Sequence, residues 1–149
     1  MPRRMTPSQV ALEFIKFGKD PEEAFEKKVV NSEIGYGLFT KKAVCRGDFL
    51  VEYRGLLRDV KEIGDDDTYV FEFQDKKFSS LCIDASIDDG SLGRLINDGW
   101  GGKENCKAKT VISEGRPHIA FFAIKDIPPK TELRYDYGVT DYWWRQIMY

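Results

Sequence analysis

Beyond Gly18 the chain is written in short runs of β-branched and aromatic residues cut by turn residues, a texture that rules out a fold built on long helices. The runs lie at 25–30, 36–40, 49–53, 69–74, 81–84, 110–112 and 117–124. Gly47-Asp48, residues 64–67, Asp89-Gly90, residues 99–102 and Pro128-Pro129 separate them. Only one stretch breaks the pattern. Thr6 can cap a helix, Pro7 suits its first position, Gln9 completes a capping box, and Gly18 stops it. Val10, Phe14 and Phe17, with Ala11 and Ile15, give that helix an apolar face. Short turns are expected near Val60 and over 91–96. At 149 residues the chain is the size of one domain. The expected architecture is mostly β, small curled sheets over 25–138, with a short helical segment over 1–24 packed on them and an aromatic tail over 139–149.

Composition narrows the function. Apolar residues make up 42% and charged residues 32%, with a net charge of −2, which argues against a protein that works by neutralising phosphates. The longest apolar run, 119–124, is too short to cross a bilayer, and nothing reads as a secretory signal. Glu22, Glu23 and Glu26, then Asp65, Asp66 and Asp67, concentrate negative charge; this is either solvated surface or an attraction for a basic peptide. Cys45, Cys82 and Cys106 form no CxxC pair and leave an odd thiol, which fits a reducing compartment and gives no zinc pattern. His118, the single histidine, sits in a strand-like run and is expected to be structural.

Four short segments carry the chemistry. Gly35-Tyr36-Gly37 places two glycines where main chain can approach a ligand, although alone it describes any turn between strands. It is not a dinucleotide loop, since no GxGxxG follows and no long helix begins there. Glu52-Tyr53-Arg54-Gly55 ends one β run, and Leu92-Gly93-Arg94-Leu95-Ile96-Asn97 ends another segment. In Glu132-Leu133-Arg134-Tyr135-Asp136-Tyr137-Gly138 two tyrosines alternate with an aspartate, so on a strand both phenols face one side. Any one of these aromatics, taken by itself, is explained by core packing.

In this order the segments resemble the SET-domain protein lysine methyltransferases over residues 31–138. Residues 47–53, Cys82-Ile83-Asp84-Ala85, residues 92–97 and Tyr135-Asp136-Tyr137-Gly138 are most similar to the histone H4 lysine monomethyltransferases. The resemblance implies the SET fold, with a knot-like threading of its C-terminal strand. It implies S-adenosylmethionine as cofactor, S-adenosylhomocysteine as product, and no metal. Ile34, Gly35, Tyr36 and Gly37 would hold the methionine part of the cofactor through main chain. Asn97 would bond it by its side chain and Asp98 by its main chain, with Tyr69 and Arg94 alongside and Trp143, next to Tyr142 and Trp144, over the adenine. Tyr53, Phe71, Tyr135 and Tyr137 would wall a lysine channel, with Tyr137, Tyr135 and Tyr53 as the catalytic set. The implied partner is a basic peptide such as a histone tail, the substrate of a monomeric nuclear enzyme without direct nucleic-acid binding.

The chemistry explains why the family needs aromatics rather than a base. A lysine amine must be neutral to attack, and its ordinary pKa near 10.4 puts the neutral form about 4 kcal/mol out of reach at neutral pH. An apolar channel and a nearby sulfonium both disfavour the ammonium. A tyrosine hydroxyl at Tyr135 can hold a water and favours stopping at one methyl. Three departures stand out. Asp98 replaces the usual histidine, the stretch from Asn97 to Asn105-Cys106 is about two residues longer than in the similar group, and that from Gly55 to Tyr69 is shorter. The first two leave two readings open, an active enzyme or a SET-derived peptide-binding module without catalysis, and the third bears on which peptide fits the groove.

Overall fold

The computed structural model describes residues 4–64 and 68–138. Helix α1 (Pro7–Phe17) begins at a capping box, Thr6 Oγ1 accepting from Gln9 N–H while Gln9 Oε1 accepts from Thr6 N–H, and ends on Gly18 in the left-handed region. The buried face differs from the sequence expectation. Ala11 and Ile15 are buried, whereas Phe17 is 61% exposed. Phe14 stacks on Phe49, and Ala11 packs beside Ala120 and Phe122, so the contacting face is centred nearer the middle of the helix. Phe17 falls past it.

Among the described residues ten strands follow: β1 (Phe25–Asn31), β2 (Gly35–Thr40), β3 (Phe49–Tyr53), β4 (Leu56–Asp59), β5 (Val70–Glu72), β6 (Leu81–Asp84), β7 (Asn97–Asp98), β8 (Cys106–Ser113), β9 (Arg116–Ala123) and β10 (Arg134–Tyr135). They form four small sheets: β1-β2, β3-β9-β8, β4-β6-β5 and the parallel pair β10-β7. Single turns of 3-10 helix at Val60–Glu62 and Gly93–Leu95 sit where turns are expected; Glu22–Ala24 and Lys76–Phe78 add two more. β4, β7 and β10 are the elements that β propensity does not mark, because charged and polar residues occupy much of each and pairing partners define them.

Leu38, Leu50, Val51, Phe121, Ile119 and Leu133 form the centre of the core, drawn from β2, β3, β9 and the segment before β10. Asp20, its side chain fully buried, joins three elements. Its Oδ2 accepts from Arg54 Nη2 at 2.8 Å and from Leu92 N–H at 2.8 Å, while Arg54 Nη1 donates to Gly18 O. The exit of α1, the end of β3 and the approach to the 93–95 turn are thereby fixed together. Residues 131–135 run between β2 and β7: Thr40 N–H donates to Thr131 O, Leu133 N–H to Leu38 O, and Arg134 and Tyr135 pair with Asn97 and Asp98. This placement brings the two ends of the sequence motif set into one groove.

Candidate functional site

A groove of about 1530 Å³ is lined by Ile34, Gly35 and Tyr36 at one end and by Tyr53, Phe71, Tyr135 and Tyr137 at the other, with Tyr69, Arg94, Asn97 and Asp98 between them. Trp143, Tyr142 and Trp144, and the acidic triplet Asp65 to Asp67, lie outside the described residues.

The glycine-bearing end is a turn shaped by a residue the motif does not include. Asn31 Oδ1 accepts from Glu33 N–H at 3.0 Å and Ile34 N–H at 2.7 Å, after a register shift between Val29 and Asn31. Gly35 follows at φ +85°, a conformation costly for other residues, and open space lies where its side chain would point. Gly37 is constrained differently. A Cβ there would come within 2.6 Å of Glu132 Oε2 and 3.2 Å of Asn97 Nδ2, so its glycine accommodates protein rather than ligand. Tyr36 is half exposed, and Lys27 Nζ sits 4.1 Å from its ring centre.

Asn97 joins this turn to the rest of the site. Its Nδ2 donates to Tyr36 O and to Glu132 Oε2, both at 2.9 Å. With both amide protons committed, Oδ1 is the atom left to meet a ligand, and it can only accept. Glu132, which the motif reading passed over, is half-buried; burial raises its carboxyl above the ordinary range, opposed by the Asn97 bond and by Arg134. The signal available in sequence was its position immediately before the Leu133-Arg134-Tyr135 run. Arg94 is engaged by protein: Nε donates to Ala85 O at 2.9 Å, Nη1 lies 3.5 Å from Asp88, and its guanidinium stacks 3.9 Å above the Tyr69 ring.

At the other end the aromatics form a continuous cage. Tyr135 lies 4.5 Å from Tyr137 and 5.5 Å from Phe71 between ring centres, and Tyr53 lies 5.4 Å from Phe71. Sequence reasoning missed Phe121, fully buried on β9, whose ring touches Tyr53, Phe71 and Tyr135 and forms the back of the cage. Burial holds the Tyr53 phenol far above its usual range, with Arg94 pulling weakly the other way, so it stays protonated. Tyr137 O–H donates to Ile96 O at 3.0 Å, so its hydroxyl is oriented by the segment that carries Asn97. His118 faces elsewhere, paired with Glu52 at 2.8 Å beside a smaller cleft. Among the described residues no group of three or more His, Cys, Asp or Glu side chains gathers as a metal site.

Residues 35–138 match the SET domain family. The chain belongs to it. The SET domain here is 37% identical over 114 residues to the histone-lysine N-methyltransferase Set8 of Drosophila melanogaster, covering 70% of this chain and 16% of that protein. It is 35% identical over 138 residues to the N-lysine methyltransferase KMT5A of Xenopus tropicalis, covering 85% of this chain and 39% of that one. The chain therefore spans well under half the length of these relatives. Among solved structures, the SET domain is similar to CpSET8 from Cryptosporidium, with a TM-score of 0.64 at 25% identity over 78% of this chain and 58% of the other. It is similar also to KRYPTONITE, solved in complex with mCHH DNA, an H3(1-15) peptide and SAH, with a TM-score of 0.62 at 26% identity over 78% of this chain and 24% of that one.

Proposed function

We propose that this SET domain transfers a methyl group from S-adenosylmethionine to a lysine side chain of a protein, with a histone tail as substrate, histone H4 favoured, and a single methyl as product. The observation that carries the reading is the junction of an acceptor-only Asn97 and a glycine turn with an aromatic cage in one groove. An acceptor at Asn97 Oδ1 and the main chain of Ile34 to Gly37 match the charged amino-acid end of the cofactor, whose ammonium can only donate. Asp98 contributes main chain, and Tyr69 and Arg94 flank the groove. When bound, S-adenosylmethionine supplies an electrophilic methyl group on a sulfonium.

The chain's own residues prepare the lysine. Tyr53, Phe71, Phe121 and Tyr135 exclude water from the cage and so favour the neutral amine over the ammonium. The proton leaves to solvent before attack rather than to one of the described cage residues. The Tyr137 oxygen, its own proton held by Ile96 O, faces the groove as an acceptor and orients the amine. Tyr135, between Phe121 and Tyr137, limits the cage to one methyl. The names of the relatives, a histone-lysine N-methyltransferase and an N-lysine methyltransferase, support lysine as the acceptor and a histone as substrate, and a histone substrate implies a nuclear setting.

The deciding experiment combines calorimetry of S-adenosylmethionine with mass spectrometry of recombinant core histones after incubation with it. Binding with mono-methylated lysine is the expected result. Binding without transfer, together with calorimetric binding of a histone tail peptide, would instead favour the second reading, a peptide-binding module, which the Asp98 substitution and the longer loop first raised.

A further inference from the structure

In a parallel ladder, a residue whose N–H reaches one carbonyl of the neighbouring strand receives at its own carbonyl the N–H two residues further along that neighbour. β7 and β10 pair in this way, Asn97 with Arg134 and Asp98 with Tyr135, and Gly99 N–H donates to Tyr135 O at 2.9 Å. The regular partner for Tyr137 N–H is therefore the Gly99 carbonyl. It is not the partner used. The chain turns away after Gly99, closing a turn in which Lys103 N–H donates to Trp100 O, and Tyr137 N–H donates to Asp98 Oδ1 at 3.0 Å. The longer loop and the replaced histidine, separate oddities in sequence, thus meet at one hydrogen bond.

We infer that Asp98 is a positioning residue for Tyr137, its side-chain carboxylate standing in for a ladder rung that the extended 99–102 loop no longer supplies. Asp98 is 2% exposed, so the carboxylate end of this part-buried bond is shielded from solvent, which strengthens it. Ile96 O holds the phenol end of the same tyrosine and Asp98 Oδ1 its main-chain end, so Tyr137 is gripped twice by the segment that carries Asn97. Loss of the main-chain grip removes one of these two holds on Tyr137. The inference rests on the methyltransferase reading only for its effect on rate; the grip itself is independent of it.

The test uses the full chain and its variants Asp98→Ala and Asp98→Asn, with amide hydrogen exchange at Tyr137, calorimetry of S-adenosylmethionine, and methyl transfer to recombinant core histones. In Asp98→Ala the Tyr137 amide should exchange at least about tenfold faster and kcat should fall about 10- to 100-fold, as for loss of a buried bond to a charged group. The cofactor Kd should move by less than about threefold, since Asp98 serves the cofactor by main chain, and Asp98→Asn, which keeps an acceptor oxygen, should recover most of the lost rate. A Tyr137 amide that stays slow in Asp98→Ala, an unchanged kcat, or a loss confined to cofactor affinity overturns the inference. If Asp98→Ala does not fold by circular dichroism, Asp98→Ser, whose oxygen lies one bond nearer the main chain, carries the same expectations. Should the wild type neither bind S-adenosylmethionine nor methylate histones, the functional reading falls, and the exchange contrast alone decides whether Asp98 grips Tyr137.

Discussion

At the scale of single residues, the two tyrosines of the C-terminal motif have neighbours that assign them different work. Tyr135 is wedged between Phe71, Phe121 and Tyr137, so its hydroxyl takes up room in the cage. Tyr135→Phe should convert a monomethylating protein into one that adds a second methyl, read by mass spectrometry of a histone peptide; an unchanged product would refute the assigned role. Tyr137→Phe instead removes an oxygen aimed at the reacting centre, and kcat should fall by an amount equivalent to about 2–4 kcal/mol with the product unchanged. Asn97→Ala strips the acceptor and also frees Tyr36 O and Glu132. Calorimetry should show S-adenosylmethionine binding weaker by about 1–3 kcal/mol. The motif named these residues from sequence. It could not reveal that both Asn97 amide protons are committed, because Glu132 is 35 residues away in the chain.

At the scale of elements, the site depends on how the segment before β10 lies against β2 and β7. Glu132 is the half-buried acid of that junction, with its carboxyl raised by partial burial. A raised carboxyl favours the folded state below the ordinary glutamate pKa, and that contribution is lost as the pH rises through the folded value. Glu132→Gln keeps an acceptor for Asn97 and removes the charge. Its melting temperature should exceed that of the wild type at about pH 7–8, with the difference shrinking as the pH falls toward about 4. Thermal melts across that range check it, and a wild type that is the more stable at neutral pH would show that the Asn97 bond and Arg134 outweigh burial. The strands carrying β-branched and aromatic runs were legible in sequence, with β3 and β6 at their observed bounds. β7 and β10 were not, since a two-residue strand has no periodicity and exists only through its partner.

At the scale of the whole molecule, the cage is where three sheets meet. Phe121 comes from β3-β9-β8, Phe71 from β4-β6-β5, and Tyr135 from β10-β7. Core and cage therefore share packed rings, Phe121 and Tyr53 in the core with Phe71 and Tyr135 against them. Phe121→Ala should destabilise the protein by about 3–5 kcal/mol by denaturant melts. It should also loosen product control, since Tyr135 loses its backing. A variant that melts early yet keeps a single methyl product would separate the core role from the cage role.

The sequence by itself determined the fold class, the capped helix and the family, because these rest on local signals: turn residues, β propensity, a capping box and motifs whose order is linear. It also marked Tyr53, Phe71, Asn97, Tyr135 and Tyr137. Tertiary structure decided the rest. Phe17 is exposed because α1 meets the sheet through Ala11 and Ile15. Gly37 is glycine because Glu132 and Asn97 crowd it. Phe121 joins the cage because β9 crosses behind it, and Asp98 faces Tyr137 N–H because a loop diverts the Gly99 carbonyl. Each of these is a contact between residues far apart in the chain, made when separate segments pack, and local pattern carries no record of such a meeting.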